Sequence, residues 1–320
     1  MHATRHTLPG GRWHFQHGPI DLVIQAEGDA RVVAACHERA WWRFADLLNQ
    51  LVSELPALRA PVAGPCGLRG GVARSMWAAC APYRAGFITP MAAVAGAVAQ
   101  EIVGCYADNG ITRAWVNNGG DIALHLAPGQ SATVGVVADL AALDAAQWQG
   151  GLALDGQIHI TSAMPVRGVA TSGWRGRSQS LGIADSVTVL AHTAAEADAA
   201  ATIVANAVNV ADPRIVRQPA HEVRDNSDLG DIPVTVDVPL LHHTQVQRAL
   251  QQGLQKAQAL QSQGLLWSAL LTCQGQFVAT TRQDDAAVLS VAPLAASLVA
   301  PYAGQAHRGL TSAEVGSVFA

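Results

Sequence analysis

Apolar residues in this chain follow two spacings, one helical and one alternating. Helical spacing predicts five helices, and the residues Pro56 and Thr89-Pro90 mark the end of the first and the start of the third. These helices are Trp41–Leu55, Val72–Cys80, Pro90–Tyr106, Ala194–Asn209 and Gln245–Gln261. The alternating runs predict strands over Ile20–Gln25, Arg31–Ala35, Ala114–Asn117, Ile122–Leu126, Thr133–Val137, Leu152–Leu154, Gln157–Thr161 and Val187–Leu190.

Turn residues between these runs predict hairpins. Glu27-Gly28-Asp29 separates the first two strands, and Asp155-Gly156 separates Leu152–Leu154 from Gln157–Thr161. Gln274-Gly275 lies at the centre of a third apolar hairpin, Leu266–Thr281. Several strands therefore follow one another without an intervening helix.

This order predicts an α+β fold with a largely antiparallel sheet and helices packed on one side. A parallel, doubly wound sheet is the weaker alternative, because the strands do not alternate cleanly with helices. We expect residues 1–320 to form one domain, and the strand–strand–helix units in both halves leave an internal duplication open. The prolines of 212–236 predict a long surface connection, and 245–320 a C-terminal helix and hairpin extension.

Composition restricts the class of protein. Half of the 320 residues are apolar and 14% are charged, which is typical of a globular protein with a large core. The net charge of −4 disfavours a nucleic-acid partner. The first twenty residues have no apolar leader, and the apolar run Met91–Val103 contains Gln100 and Glu101, so we expect a cytoplasmic protein with no membrane partner. The five scattered cysteines favour reduced thiols.

Two polar turns that contain glycine lie next to apolar strands. The first is Asn117-Asn118-Gly119-Gly120-Asp121. The second supplies hydroxyl groups, guanidinium groups and a glycine through Thr171, Ser172, Gly173, Arg175, Arg177, Ser178 and Ser180. Together they predict two walls of one site for a polar, anionic small molecule. The alternatives are a tight turn for the first segment and a solvated loop for the second.

Three further positions are weaker candidates. Thr89 and Met91 lie at a predicted helix start, where free N–H groups attract anions, although an ordinary helix start explains them equally. Asp185 is the only acid in the second turn, so it is a weak candidate for a metal ligand, with a salt bridge to Arg175 or Arg177 as the alternative. Asp198 is interpreted as structural. No zinc motif occurs in the chain, so we predict no metal, and the residues identify no catalytic group.

At this point three segments resemble one family. VNNGGDI (116–122), VATSG (169–173) and SVTVLAHTAAEADAAAT (186–202) are similar to blocks of the ApbE-like superfamily, the FAD:protein FMN transferases. They occur in the family's order and cover roughly residues 86–210. The transferases carry an H-x-x-D-P-x-T-G segment between the second and third blocks, whose Asp and Thr serve the metal and the transfer. In this chain residues 174–185 fill that interval without it.

The chain therefore resembles a shortened, poorly characterised branch of that superfamily. The resemblance implies an ApbE-like fold related to the tunnelling fold, and a flavin- or pterin-type ligand that carries phosphate. It also implies cofactor biosynthesis, with tetrahydromethanopterin-linked one-carbon metabolism as one setting. FAD, FMN or a pterin is then the expected cofactor, whereas Mg²⁺ is not supported by the residues. Two alternatives stay open, a Mg²⁺-dependent FAD:protein FMN transferase and a non-catalytic binding or assembly protein. A homo-oligomer that pairs through the edge of the Leu266–Val278 hairpin is also expected.

Overall fold

The computed structural model describes residues 2–136, 156–176, 178–280 and 289–291. Three sequence-based expectations lie outside these residues. They concern the strand Leu152–Leu154 with its turn at Asp155, the residue Arg177, and the C-terminal extension over 281–288 and after 291; Val137, the last residue of a predicted strand, is also outside.

The strands form one large sheet and two small ones. They are β1 Thr4–Leu8, β2 Arg12–His17, β3 Ile20–Gly28, β4 Ile111–Asn118, β5 Asp121–Leu126, β6 Ser131–Val136, β7 Gly156–Thr161, β8 Gly168–Ser172, β9 Ser186–Ala191, β10 Val216–Pro219, β11 Pro233–Asp237, β12 Ser268–Cys273, β13 Gln276–Ala279 and β14 Leu289–Val291. The nine-stranded sheet has the order β1-β2-β3-β4-β5-β8-β9-β12-β13. Every neighbouring pair in it is antiparallel, as the alternating pattern predicts.

The described helices are α1 Ala30–Ser53, α2 Leu55–Leu58, α3 Gly71–Cys80, α4 Val94–Gly104, α5 Ala194–Ala207, α6 Ala220–Val223 and α7 His243–Ser262. The long ones pack on one face of the nine-stranded sheet and form the main hydrophobic core with it. Helices α4 and α5 lie so close that a Cβ at Gly96 would be 2.2 Å from the carbonyl oxygen of Ala194. Small residues in both helices therefore set this distance.

The opposite face of the sheet is partly covered by a three-stranded sheet of order β14-β7-β6. A second core lies between them, built from Trp115, Ile122 and Leu124 of the large sheet and Val134, Ile158 and Ile160 of the small one. The predicted strands Gln157–Thr161 and Thr133–Val137 are confirmed as this antiparallel pair, the second as far as Val136. The α+β architecture with helices on one side is thus confirmed.

One predicted hairpin is wrong. Arg31–Ala35 is not a strand but the first part of α1, and Asp29 caps that helix by accepting hydrogen bonds from the N–H groups of Arg31 and Val32. The β-branched residues in this segment suggested a strand, whereas the cap and the packing of Cys36 and His37 in the core favour the helix.

The N-terminal strands β1 and β2 were not predicted at all. The long surface connection expected over 212–236 also holds more structure than its composition indicated. It contains β10, α6 and β11, and among the described strands β10 and β11 pair only with each other.

The C-terminal part of the fold agrees with the pattern. Helix α7 and the hairpin β12–β13 around Gln274-Gly275 are confirmed. Strand β13 lies at one edge of the large sheet, which is the position that the expected pairing between subunits requires, and the pairing itself stays a prediction. Among the described helices, none has the length and apolar character required to span a bilayer.

Candidate functional site

The first polar turn connects β4 to β5. Asn118 pairs with Asp121 across Gly119 and Gly120, whose φ angles are +63° and +110°. These left-handed conformations favour glycine. The side-chain oxygen of Asn117 accepts the N–H of Gly120 at 2.8 Å and holds the turn. Asp121 is thereby fixed as the first residue of β5.

The second polar turn lies directly beside the first. Strand β8 pairs with β5, and Oδ1 of Asp121 accepts the backbone N–H of Thr171 at 3.2 Å. Side chains two positions apart on a strand lie on the same face of the sheet. Asp121 is two residues from Ala123, and Ser172 is two residues from Ala170, and both alanines belong to the main core. Asp121 and Ser172 therefore project from neighbouring strands toward the helices. The two turns, about fifty residues apart in sequence, therefore meet.

The candidate residues do not all face the same side of the sheet. Asn117 and Thr171 alternate with the helix-facing positions and so project to the opposite face. Thr171 is exposed there, and its hydroxyl lies 3.0 Å from that of Thr188. A ligand on the helix side would meet Asp121 and Ser172 but not the side chain of Thr171.

Asp121 has a partner that sequence reasoning interpreted as structural. Its carboxyl group is hydrogen-bonded to the carboxyl group of Asp198 on α5. Asp198 in turn accepts the N–H of Gly96 at 2.9 Å and that of Ala95, at the start of α4. The side chain of Asn118 donates to the carbonyl oxygen of Ala95 at 3.1 Å. The β4–β5 turn, α4 and α5 thus converge on one pair of carboxyl groups.

Burial sets the protonation of this pair. It raises the pKa of Asp121 well above the ordinary value, and the charge of Asp198 raises it further. The pKa of Asp198 rises to about 7, also through burial, although the N–H groups of Gly96 and Ala95 oppose the rise. Like charges in contact cannot both ionise readily, so near neutral pH the pair shares a proton, held mainly by Asp121. Asp198 keeps some solvent exposure, whereas Asp121 is 7% exposed.

The arginine loop, residues 173–180, has an ordered start. Gly173 packs against the backbone of Asp185, where a Cβ would be 2.3 Å from the carbonyl oxygen. Arg175 stacks on the ring of Trp174 with 5.0 Å to the centroid, and its Nε lies 3.7 Å from Oδ1 of Asp185. The other oxygen of Asp185 accepts the N–H of Gln274 at 2.5 Å. These contacts give Asp185 a structural role and support the salt-bridge interpretation over metal binding.

The serines of the arginine loop differ in accessibility. Ser178 is exposed, and its hydroxyl lies 3.5 Å from that of the buried Ser172. Ser180 is 1% exposed and donates to Oδ1 of Asn206 at 3.2 Å. Only Ser172 and Ser178 are therefore placed to reach a ligand beside Asp121.

Thr89 and Met91 lie where the sequence predicted a helix start. The segment begins as a 3-10 helix, Pro90–Ala93, and becomes α-helical at Val94. The Thr89 hydroxyl does not cap this helix but donates to the carboxylate of Asp228. Met91 is partly buried against the main core. Thr89 is 2% exposed, so Asp228 already satisfies the group that was expected to meet an anion.

The donor set around Asp121 restricts the metal that it could hold. Over the part of the chain that the structure describes, no cluster of three or more His, Cys, Asp or Glu side chains suits a metal ion. Two carboxylates can hold Mg²⁺ when ligand phosphate oxygens complete the octahedron. Asp121 and Asp198 fit that case only after their shared proton has left.

Comparison with known proteins identifies the family of the chain. The family model described as AbpE bacteria matches residues 5–279. The chain belongs to the AbpE bacteria family. It is thus a member of the ApbE-like superfamily, as the three sequence blocks indicated.

The curated relatives of this AbpE bacteria chain are archaeal UPF0280 proteins. One from Methanopyrus kandleri is 33% identical over 211 residues, which cover 64% of this chain and 78% of that protein. Those from Methanothermobacter thermautotrophicus and Methanothrix thermoacetophila are 39% and 40% identical, over 38% of this chain in both cases and over 43% and 46% of their own lengths. The chain thus spans less than half the length of these two relatives.

Among solved structures, the apo form of the Pseudomonas stutzeri flavinyl transferase ApbE aligns with 87% of this AbpE bacteria chain and 93% of its own. The TM-score is 0.42 and the sequence identity 13%.

The residue that sequence reasoning missed is Asp198. One signal was present, because Asp198 is an acid between alanines at 197, 199, 200 and 201, all of them buried. A carboxyl group in such a helix needs a partner. Its partner, Asp121, lies 77 positions earlier and could not be identified from spacing alone.

Proposed function

We propose that this AbpE bacteria protein binds a flavin- or pterin-type heterocycle that carries phosphate, in the biosynthesis of such a cofactor. The observation that carries the proposal is the contact between the two polar turns at Asp121 and Thr171, beside the carboxyl group of the half-buried residue Asp198. Membership of the ApbE-like superfamily supports the class of ligand. Tetrahydromethanopterin-linked one-carbon metabolism is one setting for such a role.

The carboxyl pair matches one end of such a molecule. Flavins and pterins carry ring N–H groups next to carbonyl oxygens. The shared proton lies between the two carboxyl groups, so toward a ligand the pair offers acceptor oxygens for a ring N–H while it carries a net charge of −1 and not −2. In this proposal Asp121 and Asp198 bind the ring edge, and Asn118 fixes the turn that presents them.

The arginine loop matches the other end. The hydroxyls of Ser172 and Ser178, the N–H of Gly173 and the guanidinium group of Arg175 are donors suited to phosphate oxygens. The sequence analysis also assigns Arg177, in the same loop, to binding of an anionic ligand. The charge of Arg175 faces Asp185, which holds the guanidinium group near the loop.

Thermal shift and fluorescence titration with FMN, FAD and 7,8-dihydroneopterin monophosphate test this function. We expect at least one of the three to raise the melting temperature and bind with micromolar affinity. The variant Asp121→Asn should weaken binding at least about tenfold, since it disrupts the shared-proton edge. Asp46→Asn, at an exposed carboxylate on α1, is the matched control and should bind like the natural protein. No effect of any of the three compounds at millimolar concentration would refute the proposal.

A second function is favoured by the same carboxyl pair. In a Mg²⁺-dependent FAD:protein FMN transferase, Asp121 and Asp198 would hold Mg²⁺ together with phosphate oxygens of FAD. The metal would supply charge stabilisation while a threonine hydroxyl of an acceptor protein takes up the FMN phosphoryl group of FAD and AMP leaves. The chain lacks the H-x-x-D-P-x-T-G segment, so this function requires Asp121 and Asp198 to replace its ligand.

Mass spectrometry separates the two functions. The protein is incubated with FAD, Mg²⁺ and an acceptor protein, with Asp198→Asn as the variant that removes one proposed ligand. An acceptor that gains the mass of FMN with the natural protein and not with Asp198→Asn supports transfer. An unchanged acceptor mass, combined with FAD binding in the titration, supports binding alone.

The third alternative, a non-catalytic assembly protein, depends on arginines that meet an acidic partner. Arg175 instead stacks on Trp174 and lies 3.7 Å from Asp185 within the same chain. No contact of this loop favours a protein partner over a small molecule among the residues that the structure describes.

A further inference from the structure

The hairpin of residues 216–237 joins the main hydrophobic core only through the residues that flank its two ends, among the residues that the structure describes. Ile215 and Val238, which flank it, are 6% and 8% exposed and belong to the main core. Between them lie β10, α6 and β11, and none of their side chains is a member of either hydrophobic core. The buried residues Ala220 and Val234 pack outside both cores. An isolated two-stranded hairpin is only marginally stable, so this segment depends on its contacts with the body of the protein.

Several of those contacts are hydrogen bonds. Nε2 of Gln179 donates to the carbonyl oxygen of Ala220 at 2.8 Å, and Oε1 of Gln179 accepts the Ser227 hydroxyl at 2.5 Å. The N–H of Thr235 donates to the carbonyl oxygen of Ser180 at 2.8 Å. Asp228 accepts the hydroxyl of Thr89.

Near one anchored end, Arg217 donates to Asn209 at 2.7 Å. Gln179 hydrogen-bonds to the hairpin through both the nitrogen and the oxygen of its side-chain amide, and we call it the latch.

The hairpin joins two parts of the candidate site. Thr89 comes just before the segment whose Ala95 and Gly96 bind Asp198, and Gln179 and Ser180 end the arginine loop. Closure of the hairpin thus ties the helix start to the loop. Opening would release Gln179 and Ser180, and with them the end of the loop that carries Ser178.

One buried group opposes the closed position. Thr235 is 5% exposed, and its hydroxyl group has no hydrogen-bond partner among the described residues. A buried hydroxyl without a partner destabilises the state that buries it. The closed hairpin therefore combines a polar latch with an unsatisfied group at the surface where it meets the loop.

We propose that residues 216–237 form a hinged gate over the arginine loop, which Gln179 latches and which opens at Ile215 and Val238 to admit the ligand. The gate's role in ligand entry rests on the proposed function. Its opening does not, since hydrogen exchange measures opening without any ligand.

Hydrogen–deuterium exchange of the full chain tests the opening. Gln179→Ala should speed exchange in peptides from 216–237 roughly tenfold, because it removes two hydrogen bonds. Thr235→Val, which replaces the hydroxyl by a methyl group of similar size, should slow exchange of the same peptides. The matched control, Gln255→Ala on the exposed face of α7, should leave them unchanged.

Three results would overturn the gate. They are unchanged exchange of 216–237 in Gln179→Ala, an equal acceleration in α5 and β9, or faster exchange in Thr235→Val. The first would mean that Gln179 is not a latch, the second that the hairpin unfolds only with the core, and the third that the hydroxyl stabilises closure.

Stopped-flow fluorescence with FMN and with 7,8-dihydroneopterin monophosphate tests the role in ligand entry. Gln179→Ala should raise the association and dissociation rates together severalfold, with little change in Kd, because the latch controls access more than the bound contacts. Unchanged rates in the variant would overturn the role of the gate. If neither compound binds the natural protein while exchange follows the pattern above, the proposed function fails and the gate stands.

Discussion

The carboxyl pair and the hairpin that closes over the neighbouring loop are held by opposite kinds of structure. Asp121 and Asp198 lie on β5 and α5, two elements that help to build the main core, and backbone N–H groups fix both side chains. Residues 216–237 contribute no side chain to either core, and their contacts with the body of the protein include hydrogen bonds to the side chains of Gln179 and Thr89. The contrast indicates a rigid recognition site beside a movable cover.

The difference has a physical origin. Backbone groups of packed strands and helices move only when the core moves, so the pair keeps its geometry without a ligand. Side-chain hydrogen bonds at a surface exchange readily with water, and each contributes only about 1 kcal/mol to stability. The four predictions below test this division, and the expected effect on stability decreases from the first to the last.

The largest effect is expected at Gly96, where α4 meets α5. A methyl group there would lie 2.2 Å from the carbonyl oxygen of Ala194 and 2.9 Å from Cβ of Asp198. Gly96→Ala should lower the free energy of unfolding by about 3 kcal/mol and separate the carboxyl pair from its N–H donors. Gly104→Ala, in the same helix with no atom within 4 Å, should be neutral or stabilising. Denaturant unfolding of both variants checks this, and equal stabilities would show that the two helices are not tightly packed.

The second effect is a pH dependence caused by the carboxyl pair. An unfolded aspartate loses its proton near pH 4. In the folded protein Asp198 keeps its proton until about pH 7, and the pKa of Asp121 also lies well above its ordinary value, so stability falls as the pH rises from about 4 through 7. Asp198→Asn leaves an amide that can still donate to Asp121, and it should stabilise the protein by about 2 kcal/mol above pH 7.

Unfolding curves between pH 4 and pH 8 measure this effect. The natural protein should lose stability across the interval, and Asp198→Asn should lose less of it. Asp237→Asn, at the exposed end of β11, should follow the natural protein. Parallel curves for the natural protein and Asp198→Asn would show that the pair does not hold a proton at neutral pH.

How much of this was predictable from the sequence depends on whether the signal was local. The turn at Gly119-Gly120 and the hairpin at Gln274-Gly275 were predictable because glycine determines the local backbone. The strand at Arg31–Ala35 was predicted wrongly because β-branched residues suggested a strand, while the cap at Asp29 and the core contacts of α1 decided for a helix.

In the candidate site, too, only the features with a local sequence signal were predictable. The sequence motifs located Asp121 and the arginine loop, but the pairing of Asp121 with Asp198 depends on two elements that meet only in the fold. The hairpin at 216–237 was missed because its strands have four and five residues and its stability comes from distant partners such as Gln179.

The third prediction separates a structural serine from a ligand-binding one. Ser180→Ala removes the bond to Asn206 from a buried position and should lower the free energy of unfolding by about 1 kcal/mol, with ligand affinity retained. Ser178→Ala, at an exposed position, should leave stability unchanged and weaken FMN or dihydroneopterin phosphate binding severalfold. Chemical denaturation and fluorescence titration on the same samples distinguish them. A reversal of the two results would move the candidate phosphate site to the buried end of the loop.

The smallest effect on global stability is expected within the gate. Gly230 has a φ of +56°, and no atom lies within 4 Å of the position that a methyl group would take there, so Gly230→Ala introduces backbone strain without a clash. The strain should destabilise the closed hairpin by about 1 kcal/mol. The midpoint of global unfolding should move little, because residues 216–237 contribute no side chain to either core. Hydrogen exchange should therefore accelerate in 216–237 and stay unchanged in β5 and α5. A fall in global stability as large as the local one would mean that the hairpin unfolds together with the carboxyl pair, and the division between a rigid site and a movable cover would be wrong.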